Sequence, residues 1–173
     1  MPTKVEGLPT KAVQAAINDQ IAKEFYASYL YLSMAAWFEE QNLPGFAKWM
    51  RHQHDEEREH AMRFFDYLID AGARVRLQGL DEPPADFKGP LHVMEASLAH
   101  EKKVTASIRT IYELAVKDKD YATQLMLQWF IKEQQEEEKS VGDVIARMKL
   151  AGDSSAALLF LDNQLGQRGP AAE

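Results

Sequence analysis

The sequence predicts an all-α protein: a four-helix bundle with one long crossover between helices two and three, plus a short fifth C-terminal helix. Three observations predict it. Four long segments carry a core stripe at alternating steps of three and four residues, the period of a helix buried along one face. Glycine and proline, 9 and 7 in 173 residues, cluster in a few places and leave room for long helices. One irregular stretch, residues 73–90, is long enough to run the whole side of a bundle, as the one-crossover topology requires. The length suits a single domain, 1–173, with a sizeable core.

The first helix is expected over about 10–39, with Thr10 as N-cap and the stripe Ile17, Ile21, Glu24, Ser28, Tyr31, Ala35 and Phe38. It fades near Glu39 and Glu40, ahead of the turn Gln41-Asn42-Leu43-Pro44-Gly45. The second, about 44–72, opens on Pro44, which suits a first helical position, and runs through Phe46, Met50, Gln53, Glu57, His60, Phe64 and Tyr67. Gly72 can take the left-handed conformation that ends it. The crossover carries Gly79, Pro83, Pro84, Gly89 and Pro90. The third helix, about 91–117, reads Leu91, Met94, Leu98, Glu101, Thr105, Ile108, Tyr112 and Ala115, up to a polar break at Lys117-Asp118-Lys119-Asp120. The fourth, about 120–151, reads Met126, Phe130, Glu133, Glu137, Ser140, Val144 and Met148, and Gly152 ends it. Gly142 lies inside this helix, at a cost of about 1 kcal/mol relative to alanine. Ser154 caps a fifth helix, about 154–165, with Leu158, Leu159, Phe160, Leu161 and Leu165, and the tail 166–173 is expected to be disordered.

Composition removes several function classes. There are no cysteines, so disulfides, zinc–cysteine sites, iron–sulfur clusters and a thiol nucleophile are excluded. The opening residues Met1 to Gly7 contain no apolar run resembling a signal peptide, and no stretch approaches the roughly 18 apolar residues of a membrane span. A soluble, cytoplasmic protein with no membrane partner is expected. The net charge of -7 argues against nucleic-acid binding, which needs a basic face, and is compatible with attracting cations.

The informative feature is acid inside the stripe. Glu24, Glu57, His60, Glu101, Glu133 and Glu137 occupy positions that apolar residues should fill. Their heights also agree. Glu24 lies 18 residues before Asn42 in the first turn, and Glu57 and His60 lie 15 and 18 after it; Glu101 lies 17 before Asp118 in the second turn, and Glu133 to Glu137 lie 15 to 19 after it. At about 1.5 Å per residue every group sits roughly 22–28 Å from its own turn, so the acids of each hairpin are level. Taken alone, the runs Asp55 to His60 and Glu136 to Lys139 read as solvated faces, and a lone Glu-x-x-His is weak. Coincidence of phase and height across four helices is what points inward. Carboxylates crowded at one buried level cannot all stay ionised unaided, because desolvation and like charges raise their pKa values. Bound cations resolve this. A carboxylate-rich set with one imidazole and no thiolate suits iron or manganese better than copper(I) or structural zinc. Glu57 and His60 share one helical face and can ligate one metal, and Glu57 or Glu137 can bridge two.

At this point the chain resembles the bacterial non-haem ferritins, within the ferritin-like diiron superfamily. The similarity runs over nearly the whole length, on Ala22-Lys23-Glu24-Phe25-Tyr26, Glu56-Glu57-Arg58-Glu59-His60, His100-Glu101-Lys102 and, most specifically, Leu127 to Lys139, with Leu150-Ala151-Gly152 leading into the last helix. Ferritin-like carboxylate sites of this kind are a described pattern for helix bundles. The resemblance implies a first iron site of Glu24, Glu57 and His60, a second of Glu57, Glu101 and Glu137, and an outer third site drawing on Glu56, Glu133, Glu136 and Glu137. It places Gln134 near the position where oxygen reacts, and Tyr31 and Trp129 beside the diiron centre, where both aromatics also make sense as core packing. The fourth helix holds no histidine, unlike the generic diiron pattern with two Glu-x-x-His motifs. That departure separates the chain from bacterioferritins, rubrerythrins and diiron oxygenases. Arg58 and Glu59 fill the space where bacterioferritins carry the haem methionine, so no haem is expected. Ligands within one chain argue against the Dps proteins, whose site lies between subunits.

What the resemblance implies is iron storage with ferroxidase activity: two Fe(II) per subunit oxidised by dioxygen or hydrogen peroxide, and ferric mineral deposited in a homo-oligomeric cage of 24 subunits, with the fifth helix lining a fourfold channel, where its apolar residues alone would equally make it a cap on the bundle's end. The alternative is a non-storage diiron oxidase or peroxidase of the same fold. A helical interaction bundle that holds cations loosely is the non-enzyme rival.

Overall fold

The structure is a computed structural model that describes residues 8–167. The opening residues 1–7 and the expected tail from residue 168 lie outside the described residues. Five helices make up the described chain: α1 (Lys11–Glu40), α2 (Pro44–Asp70), α3 (Pro90–Lys117), α4 (Tyr121–Ala151) and α5 (Ser155–Gly166). The punctuation behaves as its chemistry dictates. Thr10 accepts from the Val13 amide at the start of α1, Pro44 sits in the first turn of α2, Asp120 caps α4 and Ser154 caps α5. Gly72 and Gly152 follow their helices at φ 71° and 55°, the left-handed region that favours glycine. The fifth helix differs from expectation at its end, running on through Gly166 instead of yielding to a tail.

Contacts between helices fix the topology. Three-residue turns join α1 to α2 and α3 to α4 as antiparallel hairpins. Gln20 meets Ser107 while Tyr31 meets Ser97, so α1 and α3 run antiparallel; Gln53 meets Glu137 while Tyr67 meets Thr123, so α2 and α4 do too. That leaves α2 and α3 parallel, and the chain between them must travel the length of the bundle. It does so along α1. Asn18 holds the start of the crossover, donating to the Arg74 carbonyl and accepting from the Arg76 amide; Gln78 donates to Asp19, Ser33 donates to the Pro84 carbonyl, and Phe87 packs edge-on to Trp37.

The stripes expected for α1 and α2 are buried, except that Tyr67 is half-buried. Those of α3 and α4 need correcting. The buried line of α3 is Val93, Met94, Ser97, Glu101, Val104, Ile108, Ile111 and Ala115, with Leu91, Leu98, Thr105 and Tyr112 half-buried on its flank. The buried line of α4 includes Thr123, Leu127, Gln134 and Val141, while Met126, Glu133 and Ser140 are half-buried. Two apolar clusters fill the bundle. One surrounds the α1–α2 turn and includes Phe38, Phe46, Met94 and Val141; the other, at the opposite end, includes Ile17, Ile21, Phe64, Ile108 and Phe130. The polar belt lies between them.

The α5 helix closes the first end. Its buried Asp162 accepts from the Phe46 amide at 2.8 Å, satisfying an orphan donor of α2 whose own N-cap residue, Leu43, offers no side-chain bond. The backbone of α5 comes so close here that a Cβ on Gly45 would fall 1.7 Å from the Asp162 carbonyl oxygen. Leu161 and Leu165 are buried beneath α5, whereas Leu159 and Phe160 face outward. None of the helices is long and apolar enough to cross a membrane.

Candidate metal centre

Four glutamates and a histidine meet in the belt between the two apolar clusters. Glu24 comes from α1, Glu57 and His60 from α2, Glu101 from α3 and Glu137 from α4, and all five are buried. Helical period alone delivers them: each lies on the stripe that continues into apolar packing above and below. Their ligand atoms converge in two groups, Glu24 with Glu57 and His60, and Glu57 with Glu101 and Glu137; within each group the atoms lie within 4.8 Å of one another. Glu57 belongs to both. A third group joins His60 and Glu137 to the half-buried Glu133.

The hydrogen bonds divide the oxygens into held and free. Glu24 Oε1 accepts from Gln20 Nε2 at 2.8 Å, and Glu137 Oε2 accepts from Gln53 Nε2 at 2.6 Å. Glu101 is held at both oxygens, by the Tyr31 hydroxyl and by Gln134 Nε2 at 3.1 Å; the Tyr31 hydroxyl in turn contacts Ser97 Oγ at 2.8 Å. By contrast Glu24 Oε2, both oxygens of Glu57 and His60 Nδ1 are buried with no hydrogen-bond partner, and His60 Nδ1 stands 3.4 Å from Glu57 Oε2. Buried polar atoms are rarely left so, because each forfeits its hydration without return. Here the orphans cluster and point at shared space.

Electrostatics agree. Burial pushes the Glu24 carboxyl up to about 7 against the pull of the Gln20 hydrogen bond. Burial also raises Glu57 well above the carboxylate range, with the charges of Glu101, Glu24 and Glu137 adding to it. Burial, then the charges of Glu101 and Glu56, raise Glu137 well above the carboxylate range. Glu101 is also raised by burial, offset by its bonds from Tyr31 and Gln134. Burial and the nearby Arg63 charge lower His60 to about 4, keeping the imidazole neutral and its nitrogen lone pair available. A neutral imidazole beside carboxyls that hold protons for want of a counter-charge is a donor set made for a cation, whose arrival would displace those protons. Oxygen-rich ligation with one nitrogen and no sulfur fits a divalent first-row metal such as iron.

The remaining candidates fall at graded distances. Tyr31 and Gln134 touch Glu101 directly, and Gln134 Oε1 is itself buried without a partner. Trp129 stands edge-on to His60 at 5.5 Å with the Arg63 guanidinium 3.9 Å above its ring. Glu133 is half-buried at the margin and not on the core line, where Gln134 sits instead. Glu56 is half-buried, and its charge is felt by Glu101 and Glu137. Glu136 is exposed and lies 3.6 Å from Lys132. Neither Glu56 nor Glu136 joins a converging group among the described residues. The sequence reading passed over Gln20, Ser97 and Arg63, and read Gln53 only as core. A signal was present: Gln20, Gln53 and Ser97 each stand four residues before an acid on the same stripe, where an apolar residue would be ordinary.

Comparison with known proteins supplies the family. Residues 14–151 match the ferritin family, described as a ferritin-like domain. The chain is 40% identical over 159 residues to a bacterial non-heme ferritin of Bacteroides fragilis, covering 92% of this chain and 99% of that one, and 36% identical over 159 residues to a bacterial non-heme ferritin of Staphylococcus aureus, covering 92% and 96%. Among solved structures it resembles an open pore ferritin from the archaeon Archaeoglobus fulgidus with a TM-score of 0.92 and 43% identity, over 92% of this chain and 99% of that one. With the belt of inward carboxylates, the single crossover and these relatives all in agreement, the chain belongs to the ferritin family.

Proposed function

We propose that the protein stores iron and is a ferroxidase: it binds two Fe(II) per subunit in the belt, oxidises them, and passes ferric product to a mineral inside a homo-oligomeric cage. The observation that carries this reading is Glu57. It is buried, belongs to both converging groups, and has neither oxygen held by an amide or hydroxyl donor, meeting only its fellow ligands Glu24 and His60. One carboxylate shared by two adjacent positions is what a pair of cations needs and what a packing role does not. Glu24 and His60 complete one position; Glu101 and Glu137 complete the other. Each ferrous ion gives up one electron. Dioxygen that takes two electrons and two protons leaves as hydrogen peroxide, and peroxide that takes two more of each leaves as water.

The chain's own groups do the rest. Gln20, Gln53, Tyr31 and Gln134 orient the carboxylates, and the raised carboxyls surrender protons as iron arrives. Glu133 and Glu137, with Glu56 and Glu136 beside them, form an acidic margin that draws ferric product away and serves as the third site. Trp129 and Tyr31 stand close enough to the ligands to supply single electrons. A single ferritin-like domain, a cytoplasmic setting and a shell of 24 copies complete the proposal.

Ferrous iron added without oxygen and then exposed to air will give a fast rise in ferric absorbance. In the Glu57→Ala, His60→Ala double variant the rise will slow to that of iron in buffer; oxidation as fast as wild type refutes the mechanism. Size-exclusion chromatography tests storage separately. A particle of roughly half a megadalton, from chains of 19.7 kDa, that retains iron after dialysis supports it. A dimer that oxidises iron but keeps none identifies a soluble diiron oxidase instead. A wild-type protein that holds no iron after loading, with an unchanged melting temperature, is a helical interaction bundle.

A further inference from the structure

We propose that Gln20, Ser107 and Lys23 form a positioning relay that holds Glu24 in its metal-accepting orientation, with Ser107 as the pivot. The inference rests on the metal-centre reading above and extends it to residues outside the ligand set. Three hydrogen bonds link four side chains in line. Lys23 Nζ donates to Ser107 Oγ at 2.6 Å, Ser107 Oγ donates to Gln20 Oε1 at 2.6 Å, and Gln20 Nε2 donates to Glu24 Oε1 at 2.8 Å. The two ends are one-way once a cation is bound: an ammonium only donates, and a carboxylate that has given up its proton to the metal only accepts. The two groups between them are reversible, since a hydroxyl works in either direction and an amide can turn end for end. A donor-only group at one end and an acceptor-only group at the other leave a single arrangement in which every contact pairs donor with acceptor. The Ser107 hydroxyl then commits its proton to Gln20 Oε1, and Gln20 Nε2 must face Glu24. Were the amide turned over, its oxygen would meet a carboxylate oxygen where both residues are fully buried, and two acceptors would repel without relief from water.

The consequence is local to one metal position. With Oε1 engaged by Gln20, Oε2 is the Glu24 oxygen left without a hydrogen-bond partner, in a residue that converges with Glu57 and His60. Glu101 and Glu137 take their partners from Tyr31, Gln134 and Gln53, so the other position does not depend on this relay. The relay also has a definite outer end. Lys23 and Ser107 line a cleft of about 860 Å³ between α1, α3 and the crossover, so the first position is tied to the outer surface of the bundle through α3.

Cobalt(II) titrated into the metal-free protein without oxygen, followed by visible absorption and calorimetry, resolves the two positions; His60→Ala and Glu137→Ala mark which step belongs to which. Ser107→Ala will weaken the Glu24 position about 10-fold or more and leave the other step unchanged, as loss of an outer partner does at metal sites. Ser107→Thr, which keeps the hydroxyl, will restore wild-type binding, and Gln20→Leu will be at least as damaging as Ser107→Ala. Wild-type cobalt affinity in Ser107→Ala, or equal weakening of both steps, overturns the relay while the metal centre stands. A wild-type protein that takes up no cobalt overturns the metal-centre reading and the relay together.

Discussion

The ends of the bundle and its middle are built on the same four helical stripes and make opposite use of them. At the end closed by α5, Phe38 and Phe46 stack with ring centroids 4.9 Å apart, and Trp37 meets Phe38 edge-on at 5.3 Å. At the far end Phe64 stacks on Phe130 at 4.0 Å. Between them, the same positions of the repeat hold Glu24, Glu57, His60, Glu101 and Glu137, equally shielded from water. The ends gain by removing carbon from water; the middle loses by removing charge from it. A fold can carry a costly belt when well-packed layers on either side offset it, and the belt then depends on its ligand for stability.

The largest test of that contrast compares one residue from each region. Phe38→Ala will destabilise the protein by about 3–5 kcal/mol in denaturant unfolding while leaving iron oxidation intact, since Phe38 packs in the end cluster and not in the belt. Glu57→Gln in the metal-free protein will not destabilise it, because the neutral amide replaces a carboxyl that burial and its acidic neighbours already favour in the protonated form, yet it will abolish stabilisation by added metal. If Glu57→Gln cost as much as Phe38→Ala, the belt would be structural and the contrast would fail.

A middle-sized effect comes from pH. Folding raises Glu24 from an ordinary 4.5 to about 7, and Glu57 and Glu137 are raised well above that ordinary value. Such groups favour the folded state while protonated and lose that contribution as pH climbs through their folded values. His60 and His100, lowered from 6.5 to about 4, act in the other direction and cost stability only as pH falls below 6.5. Above 6.5 the histidines have no further effect, so the metal-free protein will melt at progressively lower temperature as pH rises from there. The iron-loaded protein will change little. Parallel curves for the two forms would show that the belt is not the source.

The smallest effects lie outside the belt. Asp162→Ala removes a capping acceptor from the start of α2 and will cost about 1 kcal/mol by denaturant midpoint, without changing metal affinity. Gly142→Ala meets nothing within 4 Å on α4 and will stabilise by a similar amount, about 1 kcal/mol. A change in cobalt binding from either variant would mean that the ends and the middle are coupled.

The sequence disclosed the helices, the caps and the acids more fully than the lines along which α3 and α4 face the core. Thr10, Pro44, Gly72 and Ser154 act through their own backbone neighbours, so their roles can be read locally. The α3 stripe is harder because Leu91, Leu98 and Tyr112 are larger than the Ser97 and Val104 that lie deeper; size marked the flank, and contact with Tyr31 put a serine inside. On α4, Glu133 and Gln134 differ by one residue, about 100° of helix, and only the turn of the helix against Glu101 shows that the amide faces in. The converging ligands were legible because four periodicities had to agree. Ser107 was not, because its partners Lys23 and Gln20 lie across a helix interface that no single stripe describes.

The crossover has a practical consequence. Asn18, Asp19, Ser33 and Trp37 fasten it to α1 at successive heights, so it is a strap bolted down along its course and not a tether strung between two fixed points. A single protease nick between Gln78 and Pro84 would leave each stump still gripped by the same helix. The severed halves would stay seated, and the cut would be visible on a denaturing gel long before it registered in metal binding.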